Sequence, residues 1–344
     1  MTSRLLRTLA AFLRKFQWKS FSLDDTILLN IRKRDHGKER TLLPTNKQAL
    51  IADFSLLFIA ISWGYTFVLA KDLLSEMTPL YFQGTRFLLA GLILAIWRFH
   101  DLRKLDRSLW KLGLYTGFFL FLSFTFQIFG IERTTPGKAG MITGLTVIFV
   151  PFLYFLWART PLQKGPIIGS LLAFFGLCLL SSDGSITGFG FGDLLVFFCA
   201  IAFAIHTVMV DRIYDKEPSI DPLLFAMVQL LVVGGISTVL AVLFEPVPGP
   251  LSPYGWFAYL FECLIGTMLA YIVQIKAQLY TPPTHVTMIL SLESLFAFLF
   301  SWMIWGEPLT TGVLIGACLM LAGIGVTEMH GIAGELFGRK VKKS

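Results

Sequence analysis

From residue 49 onward the chain is a succession of apolar runs, each about as long as a bilayer crossing. A helix needs about 20 predominantly apolar residues to traverse the hydrocarbon. Ten runs meet or approach that length: 49–70, 79–98, 110–130, 136–157, 164–181, 191–211, 221–244, 253–276, 283–305 and 309–328. Prolines and glycines mark the joints, among them Pro79, Pro136, Pro161, Gly188, Pro222, Pro250, Pro282 and Pro308. No stretch between the runs is long enough for a soluble domain. Composition points the same way, because charged residues make up 15% of the 344, whereas soluble chains carry about 25%. The 33 Phe and 30 Gly suit lipid-facing bulk combined with close helix packing. A soluble enzyme, a nucleic-acid binder and a disordered scaffold are excluded. The expected fold is an all-α polytopic membrane protein with ten transmembrane helices.

The formal charge of +7 belongs to one end of the chain. Residues 1–48 hold 11 Lys/Arg and 4 Asp/Glu, and the remainder is balanced. Within this basic N-terminal tail, Leu5, Leu6, Leu9, Phe12, Leu13 and Phe16 recur at helical spacing, with Arg4, Arg7, Arg14 and Lys15 on other faces. The pattern predicts an amphipathic helix on an anionic membrane surface; a targeting presequence would read similarly. Residues 31–41 read as a solvated loop. With the N-terminus inside, the inner segments carry 25 Lys/Arg and the outer loops 3. That asymmetry predicts cytoplasmic termini at both ends, including a basic C-terminal tail over 329–344. Cys178, Cys199, Cys263 and Cys318 all lie in apolar runs, form no CxxC pair, and read as small buried hydrophobes.

The chain also repeats itself. A shift of 147 residues aligns 134–181 with 281–328 without a gap, and 13 of the 48 pairs are identical. The matches include Pro136/Pro283, Pro161/Pro308, Gly165/Gly312, Gly169/Gly316 and Gly176/Gly323, and the same shift pairs Gln127 with Gln274. A smaller shift pairs Pro79-Leu80 with Pro222-Leu223 and Gly91 with Gly234. The division is a first five-helix repeat over 49–181 and a second over 191–328. Five crossings are odd, so the second repeat enters from the opposite side, and the two are inverted. Inverted repeats build many secondary transporters, because one pattern packed two ways gives two exchangeable shapes. Duplication that merely built a stable bundle is the plainer reading.

Three stretches carry a resemblance to a known family. Trp63-Gly64-Tyr65-Thr66-Phe67 with Lys71 is similar to a WG-x-x-F…K signature of a first span, and Arg86-Phe87 follows Pro79 in the second. Ser291-Leu292-Glu293-Ser294-Leu295-Phe296 through Gly306-Glu307-Pro308-Leu309-Thr310 is similar to LEPxFA…GExLT in a ninth span. Over residues 50–328 the chain resembles the EamA-like branch of the drug/metabolite transporter superfamily. The resemblance implies an exporter of small organic metabolites, amino acids included, in a bacterial inner membrane. Two positions depart from the pattern: Ser294 stands where Pro is frequent, and Arg159-Thr160 where a Gly-Glu pair is common.

Ionisable and amide groups inside spans are costly and usually face a bundle interior or a water-filled cavity. Glu293, near the middle of span nine, suits proton exchange or a substrate amine; alternatively it ties neighbouring helices together. Arg86, in span two, keeps its charge; it would hold a substrate carboxylate, pair with Glu293, or bond helix-end carbonyls. Gln127 and Gln274, as repeat mates, would line a central cavity or bond between helices. His206 would shuttle protons or simply face another helix, and Glu262 would approach the site from span eight. Trp63, Tyr65 and Tyr271 would line a pocket for aromatic or amphipathic solutes, or serve as packing and interface anchors. Lys71 and Lys276 are expected to snorkel from span ends, and Glu307 and Glu328 to cap or gate.

No HExxH, GxSxG or Walker loop is present, so no catalytic constellation, metal site or cofactor is expected and ATP does not drive the chain directly. The expected function is alternating-access transport of a small metabolite, with proton antiport as one coupling. An intramembrane enzyme on lipid-linked substrate and a non-transporting scaffold are the rival classes. The partners expected are the metabolite and anionic lipid under the basic tail.

Overall fold

The computed structural model describes residues 46–158, 164–182, 189–217, 219–277, 286 and 289–341. The amphipathic segment of the basic tail and the Arg159-Thr160 departure lie outside them. The described residues are helical, with no strand among them. The helices are α1 (Asn46–Leu73), α2 (Pro79–Trp97), α3 (Arg107–Arg133), α4 (Pro136–Thr143), α5 (Thr146–Ala158), α6 (Lys164–Ser182), α7 (Phe191–Lys216), α8 (Pro222–Phe244), α9 (Pro253–Phe261), α10 (Ala270–Ala277), α11 (Glu293–Trp305) and α12 (Thr311–Val341). A π-helical stretch, Glu262–Leu269, joins α9 to α10. A short 3₁₀ turn, Phe99–Lys104, lies between α2 and α3.

Seven helical segments are long and apolar enough to cross a membrane: Leu50–Leu73, Pro79–Trp97, Arg107–Arg133, Pro136–Trp157, Phe191–Tyr214, Pro222–Phe244 and Pro253–Gln274. The other three expected runs give shorter apolar helices, Ile167–Leu179, Glu293–Trp305 and Thr311–Val326. The integral membrane character stands on these segments and on their outer faces. Phe174, Phe175, Val242 and Phe244 are exposed, which hydrocarbon accommodates and water does not.

Local chemistry sets the helix starts. Pro79, Pro136, Pro222 and Pro253 occupy first-turn positions, where a missing N–H costs nothing. Asp106, Asp221 and Ser252 accept hydrogen bonds from the first-turn amides of Leu109, Leu223 and Gly255 at 2.7, 3.0 and 2.9 Å. Gly306, at φ +67°, ends α11 in the left-handed conformation that glycine adopts without strain.

Packing is set by small residues. α6 lies along α12, α2 along α8, and α3 along both α7 and α8. A Cβ on Gly176 would stand 2.7 Å from the Gly316 carbonyl oxygen, and one on Gly323 would stand 2.5 Å from that of Gly169. On the second pair, a Cβ on Gly91 would meet Leu231 at 2.8 Å, and one on Gly234 would meet the Leu88 backbone at 2.4 Å. Close approach therefore requires glycine at these positions. Cys178 and Cys318, expected inside, are exposed, because the facing sides of α6 and α12 are taken by these glycines. Cys199 and Cys263 are buried, and all four are free.

Candidate functional site

One cavity of about 320 Å³ lies among the helices. α1, α2, α3 and α4 contribute to it, as do α7, the π-helical stretch, α10 and the first residue of α11. Its lining includes Trp63, Arg86, Gln127, His206, Glu262, Tyr271, Gln274 and Glu293. Tyr65 is placed elsewhere, packed edge-on to Phe261 at 5.4 Å and tilted against Phe300 at 5.3 Å. The lining also includes polar residues not singled out in the sequence, among them Gln83, Thr143, Asp211 and Thr267. A polar side chain inside an apolar run was their one available signal.

Arg86 pairs with Glu262, not with Glu293. Its Nη1 donates to Glu262 Oε2 at 2.6 Å, and both residues are buried. The cause lies in helix pairing: the π-helical stretch carrying Glu262 packs on α2, whereas α11, headed by Glu293, packs on α1 and α4. The rings of Phe82, Phe87 and Phe124 stand 5.0, 4.7 and 5.5 Å from the guanidinium carbon, within cation–π range. Trp63 donates from Nε1 to the Gly266 carbonyl at 2.8 Å, also on the π-helical stretch. π-Helical turns recur at functional sites, and this one supplies a carboxylate, a carbonyl and Thr267 to a single wall.

His206 Nε2 lies 2.5 Å from Gln229 Oε1 on α8. With the amide oxygen as acceptor, Nε2 carries the proton and Nδ1 is bare. Gln83 donates to Thr125 Oγ1 at 3.1 Å and Ser237 Oγ at 2.9 Å. Glu293, Gln127 and Gln274 form no side-chain hydrogen bond with the described residues. Among the described residues, five buried polar atoms around the cavity also lack partners: Gln83 Oε1, Arg86 Nε, Thr143 Oγ1, His206 Nδ1 and Glu262 Oε1. Buried polar groups are normally satisfied. So many unmet donors and acceptors in one cavity form a site that water or a polar solute completes.

Beyond the lining residues Ala70 and Ile131, one end of the bundle is laced together by hydrogen bonds. Lys71 donates to the carbonyls of Ile131 and Glu132, both at 2.8 Å, closing the end of α3 rather than snorkelling. Asp72 accepts from the Tyr254 hydroxyl at 2.7 Å and from Trp305 Nε1 at 2.9 Å. Glu76 accepts from the backbone and hydroxyl of Ser252, both at 2.7 Å. These two hydrogen bonds hold the Glu76 carboxyl below its ordinary value. Glu307 accepts from Thr135, Ser301 and the Gly137 amide, capping α4. At the far end Asp211, exposed on α7, lines the cavity and marks where it reaches the surface. Among the described residues no cluster of His, Cys, Asp and Glu could hold a metal ion.

A multi-helix membrane bundle around one solute-sized, polar-lined cavity defines the class: a polytopic membrane transporter. The chain belongs to the EamA-like transporter family, whose model matches it twice, over residues 50–182 and 190–329. It is 32% identical to an uncharacterized transporter of Archaeoglobus fulgidus, over 82% of this chain and 87% of that one. It is 26% identical to the uncharacterized transporter YyaM of Bacillus subtilis, over 78% and 90%, and 22% identical to protein PecM of Dickeya dadantii, over 81% and 92%. A solved crystal structure shares the fold at TM-score 0.59 and 16% identity, covering 82% of this chain and 96% of that one. The first two of these relatives are named as transporters, and by its family the chain is a transporter, not an enzyme.

Proposed function

We propose that the protein is a secondary carrier that moves small organic solutes of amino-acid size outward by alternating access. The observation that carries this reading is the cavity: about 320 Å³, walled by helices from both halves of the chain and lined by polar atoms without partners among the described residues. The proposed frame is ten helices in two inverted five-helix repeats. The reciprocal contacts support it, since Gly176 on Gly316 mirrors Gly323 on Gly169, and Gly91 on Leu231 mirrors Gly234 on Leu88. The double match to one family model supports it too.

In this reading both termini are cytoplasmic and the membrane is a bacterial inner membrane. The open end of the cavity, at the C-terminal end of α7, then faces the side rich in Lys and Arg. The laced end is the outer gate, and the basic tail rests on the anionic inner leaflet. Trp63, Gln127, Gln274 and Tyr271 hold the solute, and Glu293 exchanges a proton for it. Solute counterflow in proteoliposomes preloaded with pooled amino acids and small amines tests the reading. Saturable exchange of label is expected; folded protein that exchanges nothing in the pool contradicts it.

A further inference from the structure

We propose that the solute is a small protonated amine with an apolar, ring-bearing body, and that a carboxylate on the solute weakens binding. The proposal rests on the carrier reading above and narrows it.

The charges of the lining do not balance. Among the described lining residues Arg86 is the sole Lys or Arg, against Asp211, Glu262 and Glu293. Arg86 already has its counter-ion. Its charge is matched by Glu262 at 2.6 Å, and three aromatic rings surround it within 5.5 Å, although its Nε has no partner among the described residues. A solute carboxylate at the guanidinium would therefore either crowd Glu262 as a second anion on one cation or displace it. Displacement would strand Glu262, 1% exposed, as a buried carboxylate without its cation. Removing one partner from a buried pair is strongly unfavourable.

Glu293 is the opposite case. It lines the cavity, and no ion pair or hydrogen bond joins it to the described residues. An ionised carboxylate in such a place is costly until a cation joins it. A solute ammonium supplies that cation and donates the hydrogen bonds Glu293 lacks. The surrounding wall suits the remainder of such a solute: Trp63, Phe67, Phe124, Phe203 and Tyr271 present rings to the same cavity. Ring faces accept cations and ring bodies alike. Gln127 and Gln274 leave amides free for additional polar groups. Glu262 thus fixes what the site refuses, and Glu293 fixes what it accepts.

Three molecules with one ring body separate the alternatives: phenethylamine, phenylalanine and 3-phenylpropionate. Equilibrium binding of radiolabelled phenethylamine to the full-length protein, competed by the other two, is the first measurement. Phenethylamine is expected to bind saturably and about tenfold tighter than either competitor, a gap of about 1.4 kcal/mol. Glu293→Gln is expected to erase that preference and Glu293→Asp to retain part of it. Absence of phenethylamine binding, parity or better for either carboxylate-bearing ligand, or full preference in Glu293→Gln overturns the proposal. The three-ligand comparison needs no variant, so a misfolded mutant does not shelter it. Counterflow of the same compounds separates the two claims. Preferential amine binding without exchange upholds this assignment and overturns the carrier reading. Exchange of other solutes without amine preference does the reverse.

Discussion

At the scale of single residues, two carboxylates with different surroundings make different predictions. Glu262 balances a buried guanidinium, so Glu262→Ala leaves Arg86 charged and unpaired in the bundle. A loss of about 3–5 kcal/mol is expected, read as a lowered unfolding temperature in detergent. Arg86→Met/Glu262→Leu should recover most of it, because apolar residues of similar volume often replace a buried pair without penalty. If the double variant is no more stable than Glu262→Ala, the pair is not the reason for the loss. Glu76, in the turn between α1 and α2, is held below its ordinary value by Ser252. A depressed carboxylate contributes stability that is complete above its unfolded value and lost as pH falls through the lower folded value. Exchange of the Ser252 amide should therefore rise on the acid side of the ordinary carboxylate range. Glu76→Gln should remove that pH dependence, and an unchanged acid-side rise in the variant would contradict the assignment. The sequence marked out Arg86 and Glu262 because charge inside an apolar run stands out. It could not say that they meet, since 176 positions separate them and the rotation of each helix decides its partner. Tyr65 takes the packing alternative for the same reason, as a two-residue step from Trp63 turns a side chain to another face of the helix.

At the scale of elements, the helices themselves were legible. The expected runs 79–98, 164–181 and 253–276 become Pro79–Trp97, Lys164–Ser182 and Pro253 through Ala277, because proline starts and polar caps are written locally. Two departures were not legible. The run 136–157 breaks at Gly144-Leu145 into α4 and α5. Gly144 presses against Ser294, whose hydroxyl donates to the Gly140 carbonyl at 3.1 Å. The π-helical stretch is invisible to apolar periodicity because an inserted residue changes the facing, not the composition. Contact between α6 and α12 gives a sharper test. Gly323→Ala would place a Cβ 2.5 Å from the Gly169 carbonyl oxygen, whereas Gly325→Ala meets nothing within 4 Å. Overpacking of this kind costs about 1–3 kcal/mol, while alanine otherwise gains up to about 1 kcal/mol of helix propensity over glycine. Gly323→Ala should lower thermal stability and Gly325→Ala should leave it equal or higher. Equal stability of the two variants would mean that the helices are further apart than described.

At the scale of the molecule, several of the matched glycines sit at close helix contacts. Their register predicted a repeat, and in the structure Gly169, Gly176, Gly316 and Gly323 interlock across one helix pair. The ties that lace one end of the bundle could not be read from the chain, because they join residues far apart in it, such as Asp72 with Tyr254 and Trp305. In alternating access the laced end must part for solute to leave. Glu76 and Ser252 touch across that seam, so cysteines at both positions, in a background lacking the exposed Cys178 and Cys318, can be bridged by a short cleavable bismaleimide. Counterflow before bridging, after bridging and after cleavage is the most direct measurement. Exchange is expected to stop when the seam is tied and to return when it is cut. Exchange that continues at its full rate through a tied seam would contradict alternating access at this gate.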